Sequence, residues 1–216
     1  MTRLRILIVD DHAVVRRGVR SLLESQAGWE VSGEASTGRE AVDMARRQQP
    51  DVVVMDLSLP ELNGLDATRQ ILKESPRSEI VVLTMHHSEE LARDVLQAGA
   101  RGYVLKSDAD QNLIAAVNSL RDHKPFLSSR VTEFVLDDYL RRTDTADAVA
   151  RECITARERE IIQLLAEGKS NKETASTLGV SVKTIEAHRA NIMRKLRLRS
   201  VTDLVRYAIR NQIVQP

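Results

Sequence analysis

The stretch "ILIVDDHAVVRRG", residues 6–18, ends a run of four aliphatic side chains on two adjacent carboxylates, Asp10 and Asp11. Because the run from Ile6 to Val9 is continuous rather than alternating, it reads as a short strand buried on both faces. Such a strand pairs in parallel with others, and its functional edge lies at its carboxyl end. Two like charges side by side at that edge repel each other unless water or a cation neutralises them. Two readings stand at this point. One is a solvated Asp-Asp turn that caps the following helix. The other is half of a divalent-cation site that needs oxygen ligands from elsewhere in the chain.

Outward from this stretch, residues 4–122 alternate strand-like and helix-like segments. Strands are expected near 5–10, 31–35, 51–56, 80–84 and 102–105, and helices near 13–25, 37–47, 65–74, 88–97 and 110–122. Five strands interleaved with helices predict a doubly wound parallel sheet covered on both faces. Residues 123–150 differ: "FLSSRVTEFVLDDYLRR" has some helical periodicity, while "TDTADAVAREC" is small and polar, so a partly helical linker is expected. Residues 151–216 then carry four short helical patterns, a second, smaller all-α domain. Thr155 with Glu158 and Ser170 with Glu173 match the capping box, and Ser181 and Ser200 suit N-caps. The second and third of these helices, near 171–178 and 182–196, join through "GVS" as a helix-turn-helix spanning about 171–190.

Composition narrows the function classes. Aromatic residues are 3% of the chain, which leaves aliphatic cores and no stacking platform for single-stranded nucleic acid. Cys153 is the single cysteine, which excludes an internal disulfide and a cysteine zinc cluster and fits a reducing compartment. No apolar run approaches the roughly 20 residues of a membrane span, so a soluble, cytoplasmic protein with no membrane partner is expected. The net charge of +1 hides an asymmetry. Residues 1–124 hold 16 Lys+Arg against 19 Asp+Glu, a net of −3, and residues 151–216 hold 13 against 7, a net of +6. A basic tail behind an acidic front suggests a polyanion partner for the tail alone.

In a doubly wound sheet the carboxyl ends of the strands converge on one crevice. Here they would bring together Asp10, Asp11, Asp56, Thr84 and Lys106. Three carboxylates could hold a hard cation such as Mg²⁺, which takes oxygen ligands and keeps several waters. The cation, Lys106 and the Thr84 hydroxyl could then neutralise phosphoryl oxygens while an Asp56 oxygen attacks phosphorus.

This set, with Tyr103 and with "LPELNG" after the central Asp, resembles the receiver domain of bacterial two-component response regulators, a flavodoxin-like fold. The segment "ITARERE" followed by "GKSNKETASTLGVSVKTIEAHRANIMRKL" is similar to the LuxR-type output domain of the NarL/FixJ class. The resemblance implies that Asp56 is the phosphoacceptor, with a sensor histidine kinase as donor. It implies Mg²⁺ on Asp10, Asp11 and Asp56 with the Ser58 backbone carbonyl, a phosphoryl contact from Lys106, and Thr84 and Tyr103 as a switch pair. Met85 stands where many receivers have a small residue, so restricted entry to the site is expected; His86 and His87 read as a polar loop.

In "SVKTIEAHRANIMRKL", Ile185, Ile192 and Leu196 form an apolar stripe that packs inward. Glu186 and Ala187 become candidates for base contacts in a DNA major groove, Lys183 and Arg189 for bases or nearby phosphates, and Lys172, Thr184, Arg194 and Lys195 for phosphates. His188 is expected as a structural or phosphate contact. Val201, Leu204, Val205 and Ala208 lie on one side of the last helix, a candidate dimer seam, which would require two inverted half-sites in the DNA operator. The expected protein is a transcriptional regulator that dimerises on activation. The rivals are an Asp-nucleophile phosphatase-like α/β enzyme and a pseudo-receiver not controlled by phosphate. The first lacks a Gly-rich phosphate loop after the first strand, and the intact acidic set argues against the second.

Overall fold

A computed structural model describes residues 3–85, 89–127, 132, 154–211 and 213–214. Five strands, β1 (Leu4–Val9), β2 (Trp29–Ala35), β3 (Val52–Met55), β4 (Glu79–Thr84) and β5 (Gly102–Leu105), alternate with α1 (Ala13–Glu24), α2 (Gly38–Gln48), α3 (Gly64–Glu74), α4 (Glu89–Ala98) and α5 (Ala109–Arg121). A short sixth strand, β6 (Phe126–Leu127), completes a sheet of order β2-β1-β3-β4-β5-β6 in which every pair is parallel. The sixth strand was not expected. Its two residues fall within the expected linker, since a two-residue strand is too short to show any periodicity.

The continuous aliphatic strands are buried on both faces, as parallel strands must be when helices cover each side. One face places Ile6, Ile8, Val52, Val54, Val81, Leu83 and Val104 against Val19 and Leu23 of α1 and Leu113, Val117 and Leu120 of α5. Each such side chain stabilises the fold by about 1.5–3 kcal/mol when fully removed from water. Strand order reverses between β1 and β3: the chain leaves β1 for β2 on one side and β3 lies on the other. That reversal opens a crevice at the carboxyl ends of these two strands.

The second unit comprises α6 (Ala156–Ala166), α7 (Asn171–Leu178), α8 (Val182–Lys195) and α9 (Val201–Arg210). Thr155 and Ser170 form the expected capping boxes, and Ser200 forms a third with Asp203. Ser181 caps α8 by accepting from the Thr184 amide. Gly179 ends α7 with φ +64, the left-handed conformation that lets the chain turn at once into α8. Ile161, Ile162, Leu164, Ala175, Leu178, Ile185, Ile192, Leu204 and Ala208 form its core. Among the described residues, no helix is long and apolar enough to cross a membrane. Cys153, His86, His87 and most of the expected linker lie outside the described residues.

Candidate functional site

The register of the central strands assembles the acidic cluster. Val9 pairs with Met55, and the Asp56 amide donates to the Val9 carbonyl at 2.8 Å, so Asp10 and Asp56 emerge side by side at the crevice. Both are almost wholly buried, at 3% and 2% exposure, while Asp11 is exposed. Thr84 pairs with Leu105 at the ends of β4 and β5, which delivers Lys106 to the same edge. The Lys106 amine lies 2.6 Å from Asp10 Oδ2 and 2.9 Å from Asp56 Oδ2. One ligand atom from each of Asp10, Asp11, His12 and Asp56 lies within 4.8 Å of the others, a donor set compatible with a divalent ion.

One amine serves two buried carboxylates, Asp10 and Asp56, and the electrostatics follow from that sharing. Burial pushes the Asp56 carboxyl above the usual carboxylate range; the Lys106 charge and hydrogen bond pull it back only in part, and the Asp10 carboxylate adds to the rise. Burial alone would lower the Lys106 amine, yet its hydrogen bond to Asp10 and its pairing with Asp56 leave it raised. The lysine has two partners and stays charged, whereas Asp56 shares that amine with Asp10. Tyr103, wholly buried within β5, is pushed up to about 12 by desolvation and stays a neutral phenol.

The capping role considered for the Asp-Asp pair does not materialise. The N-cap of α1 is His12, with no side-chain cap hydrogen bond, and Asp10 Oδ1 instead accepts from the His12 amide at 2.8 Å. Ser58 sits half-buried in the loop after β3. Met85 is 68% exposed, so its side chain encloses little of the edge.

Three further residues hold the cluster in place. Arg16 donates to the Asp10 main-chain carbonyl at 2.6 Å and pairs with Glu34, which the Arg20 and Arg16 guanidiniums hold below the usual glutamate range. His12 Nδ1 lies 2.7 Å from Asp11 Oδ1. Gly64 opens α3 with its amide on the Leu57 carbonyl at 3.0 Å, and a Cβ there would overlap the Asp56 carbonyl oxygen. Arg16 lies one helical turn beyond His12, a spacing that places the two on one side of α1.

On the second unit, the α8 surface carries Lys183, Glu186, Ala187 and Arg194 exposed, with Thr184, His188 and Arg189 half-buried. Lys172 is exposed in the first turn of α7. Arg189 donates to Asn171 at 3.3 Å and Arg194 to Asn191 at 2.9 Å. Lys195 does not stand free for a phosphate: its amine pairs with Glu158 at 2.8 Å, and that contact is the main reason the Glu158 carboxyl falls below its usual range. The expected seam on α9 is corrected in part. Leu204 and Ala208, at 1% and 0% exposure, belong to the core, because helical spacing alone cannot separate an inward stripe from a seam beside it. Val205 is half-buried, and Val201, at 46% exposure, shows an apolar surface.

A β-sheet with a strand-end acidic cluster and a lysine, followed by a capped helix-turn-helix, defines a regulator with an input and an output module. Comparison with known proteins bears this out. Residues 6–118 match the response regulator receiver domain, and residues 152–208 match the bacterial regulatory proteins of the luxR family. The chain is similar over its length to the oxygen regulatory protein NreC of Staphylococcus carnosus, at 40% identity, covering 98% of this chain and 99% of that protein. A LuxR-family two-component response regulator from Aurantimonas sp. SI85-9A1 superposes with a TM-score of 0.61 at 35% identity, over 64% of this chain and 99% of that one. RcsB, solved as two dimers bound to two parallel DNAs, gives a TM-score of 0.59 at 27% identity, over 95% of this chain and 98% of that one. The chain belongs to the two-component response regulators that join a receiver to a LuxR-type DNA-binding domain. It is a non-enzymatic transcription factor, homologous to the NreC oxygen regulators.

Proposed function

We propose that Asp56 is the phosphoacceptor of this regulator, and that its phosphorylation controls DNA binding by the tail. The observation that carries the reading is the single Lys106 amine held 2.6 and 2.9 Å from two buried carboxylates at the strand-order reversal. Asp10, Asp11 and Asp56, with the Ser58 carbonyl, would hold Mg²⁺, which when bound supplies charge neutralisation for the phosphoryl oxygens. An Asp56 oxygen attacks phosphorus, the bond from phosphorus to the histidine nitrogen of the donor kinase breaks, and Lys106 contacts the transferred group. Burial raises the carboxyl pKa and so makes the nucleophile more basic. Thr84, at the end of β4, and Tyr103, within β5, then act as the switch pair.

For the tail, Lys183, Glu186, Ala187 and Arg189 would meet base edges, with Lys172, Thr184, His188 and Arg194 on phosphates. The partner is a double-stranded DNA operator with two half-sites, bound by a homodimer of activated, cytoplasmic protein. The test is labelling of the full chain with acetyl phosphate, read by mass spectrometry. Asp56→Asn should abolish the adduct, and an undiminished adduct would refute the assignment. Asp11→Ala should weaken Mg²⁺ binding sharply in a titration.

A further inference from the structure

The second unit carries a groove whose apolar walls have no place in the DNA contacts proposed above. Its volume is about 510 Å³, and small-molecule sites span roughly 300–1,000 Å³. Leu165, Val182, Val201 and Leu204 supply the apolar lining, and Lys172 and Arg189 bring positive charge. Val182 opens α8 at 40% exposure and Val201 opens α9 at 46%. One exposed valine needs no explanation, but two that line one cavity form a patch. Val182 and Arg189 lie roughly two turns apart on α8, so they share a side of that helix. Arg189 donates to Asn171 at 3.3 Å, which draws its guanidinium to the start of α7, beside Lys172. Among the described residues no carboxylate lines the groove, and neither Lys172 nor Arg189 has an acidic partner.

We propose that this groove binds a small organic acid with an apolar body, its carboxylate held by Lys172 and Arg189. A bare phosphate would use the cations and leave the valines wet, and an uncharged apolar molecule would do the reverse. A molecule with an apolar body and one negative end satisfies the whole lining. Lys172 and Arg189 are also proposed DNA contacts, so an occupied groove weakens DNA binding. That consequence rests on the reading above, whereas the binding itself does not.

The experiment is calorimetric titration of the full chain with octanoate, with octanol and inorganic phosphate as the two half-ligands. Val182→Asp and Lys172→Ala alter exposed positions of the groove, and an acid in the first turn of α8 suits the helix dipole. Val14→Asp, at the equally exposed valine of α1, is the control. Octanoate should bind the wild type and the control alike, and each groove variant should lose about tenfold or more, the scale of one lost charged contact. Octanol and phosphate should each bind at least about tenfold more weakly than octanoate, because each lacks one half of the contacts. Equal binding by octanol or by phosphate, or unchanged binding in Val182→Asp, would overturn the proposal. If octanoate fails to bind and sedimentation shows a self-association that Val182→Asp abolishes, a second copy covers the groove and the proposal is wrong. Duplex binding at low salt by the chain treated with acetyl phosphate reads the consequence separately. Octanoate should weaken it in the wild type and not in Val182→Asp; equal duplex binding with and without octanoate would overturn the competition.

Discussion

Gly64→Ala tests how tightly the phosphoacceptor is built into the fold. A Cβ at residue 64 would overlap the Asp56 carbonyl oxygen and stand 2.7 Å from Leu57 Cα and 2.9 Å from the Asp56 carbonyl carbon. All three atoms are main chain, so no side chain can swing aside. Relief requires a backbone shift on the order of 1 Å, and overpacking of this kind costs about 1–3 kcal/mol. Gly64 lies in the first turn of α3 with no positive φ, so alanine also returns up to about 1 kcal/mol of helix propensity. Because the obstacle is rigid, the clash falls at the upper end, and the net loss is about 2 kcal/mol. For a domain of this size that is about 8 °C in the receiver melting temperature. A misplacement of 1 Å at reacting atoms also costs roughly 100-fold in rate, so labelling by acetyl phosphate should fall steeply. Gly18→Ala is the control. Nothing lies within 4 Å of its added Cβ in the middle of α1, so it should stabilise the receiver slightly and leave labelling intact. Equal melting temperatures and equal labelling for the two variants would refute the reasoning.

Further outcomes follow from the charges and from the tail. The raised Asp56 pKa means that the folded state holds this proton more tightly than the unfolded chain does. Its contribution to stability is complete below the ordinary carboxylate range and is lost as pH rises through the raised value. In metal-free buffer, Asp56→Asn should therefore melt higher than the wild type at neutral pH, with the difference vanishing in acid; melting curves across pH check this. Lys106→Met leaves two buried carboxylates, Asp10 and Asp56, without their amine, and should cost about 3 kcal/mol by the rule for breaking buried pairs, read by denaturant titration. Leu204→Ala should destabilise the tail by about 2–5 kcal/mol, whereas Val201→Asp should leave its stability nearly unchanged and weaken self-association on DNA, measured by sedimentation. In salt series of DNA binding, Arg194→Ala should flatten the slope by about one unit, and Lys195→Ala by less, because Glu158 already neutralises that amine.

The sequence was most legible where one physical signal acted alone. Continuous aliphatic runs marked the buried strands, and polar residues stranded at their ends marked the crevice. The capping boxes marked helix starts because their spacing is set by backbone geometry. Signals that depend on the partner side of a contact were not legible. The stripe on α9 could not reveal that Leu204 and Ala208 pack into the core while Val201 does not. Nor could Lys195 announce Glu158, 37 residues away. Arg16 and Gly64 act on main-chain atoms of Asp10 and Asp56, and such contacts leave no mark in side-chain pattern.

The two-residue strand β6 bears on how modular this regulator is. Phe126 pairs with Gly102 and Leu127 with Tyr103, so the last rung of the sheet is shared with a proposed switch residue. A chimera that joined this receiver to a foreign output domain at residue 122 would discard that rung and bare the edge of β5. An exposed strand edge invites pairing with other chains. Hybrids cut after Leu127 should stay monodisperse where those cut at residue 122 aggregate. A recombination event that reassorts such domains would meet the same constraint, because a cut at residue 122 removes a strand that pairs with β5.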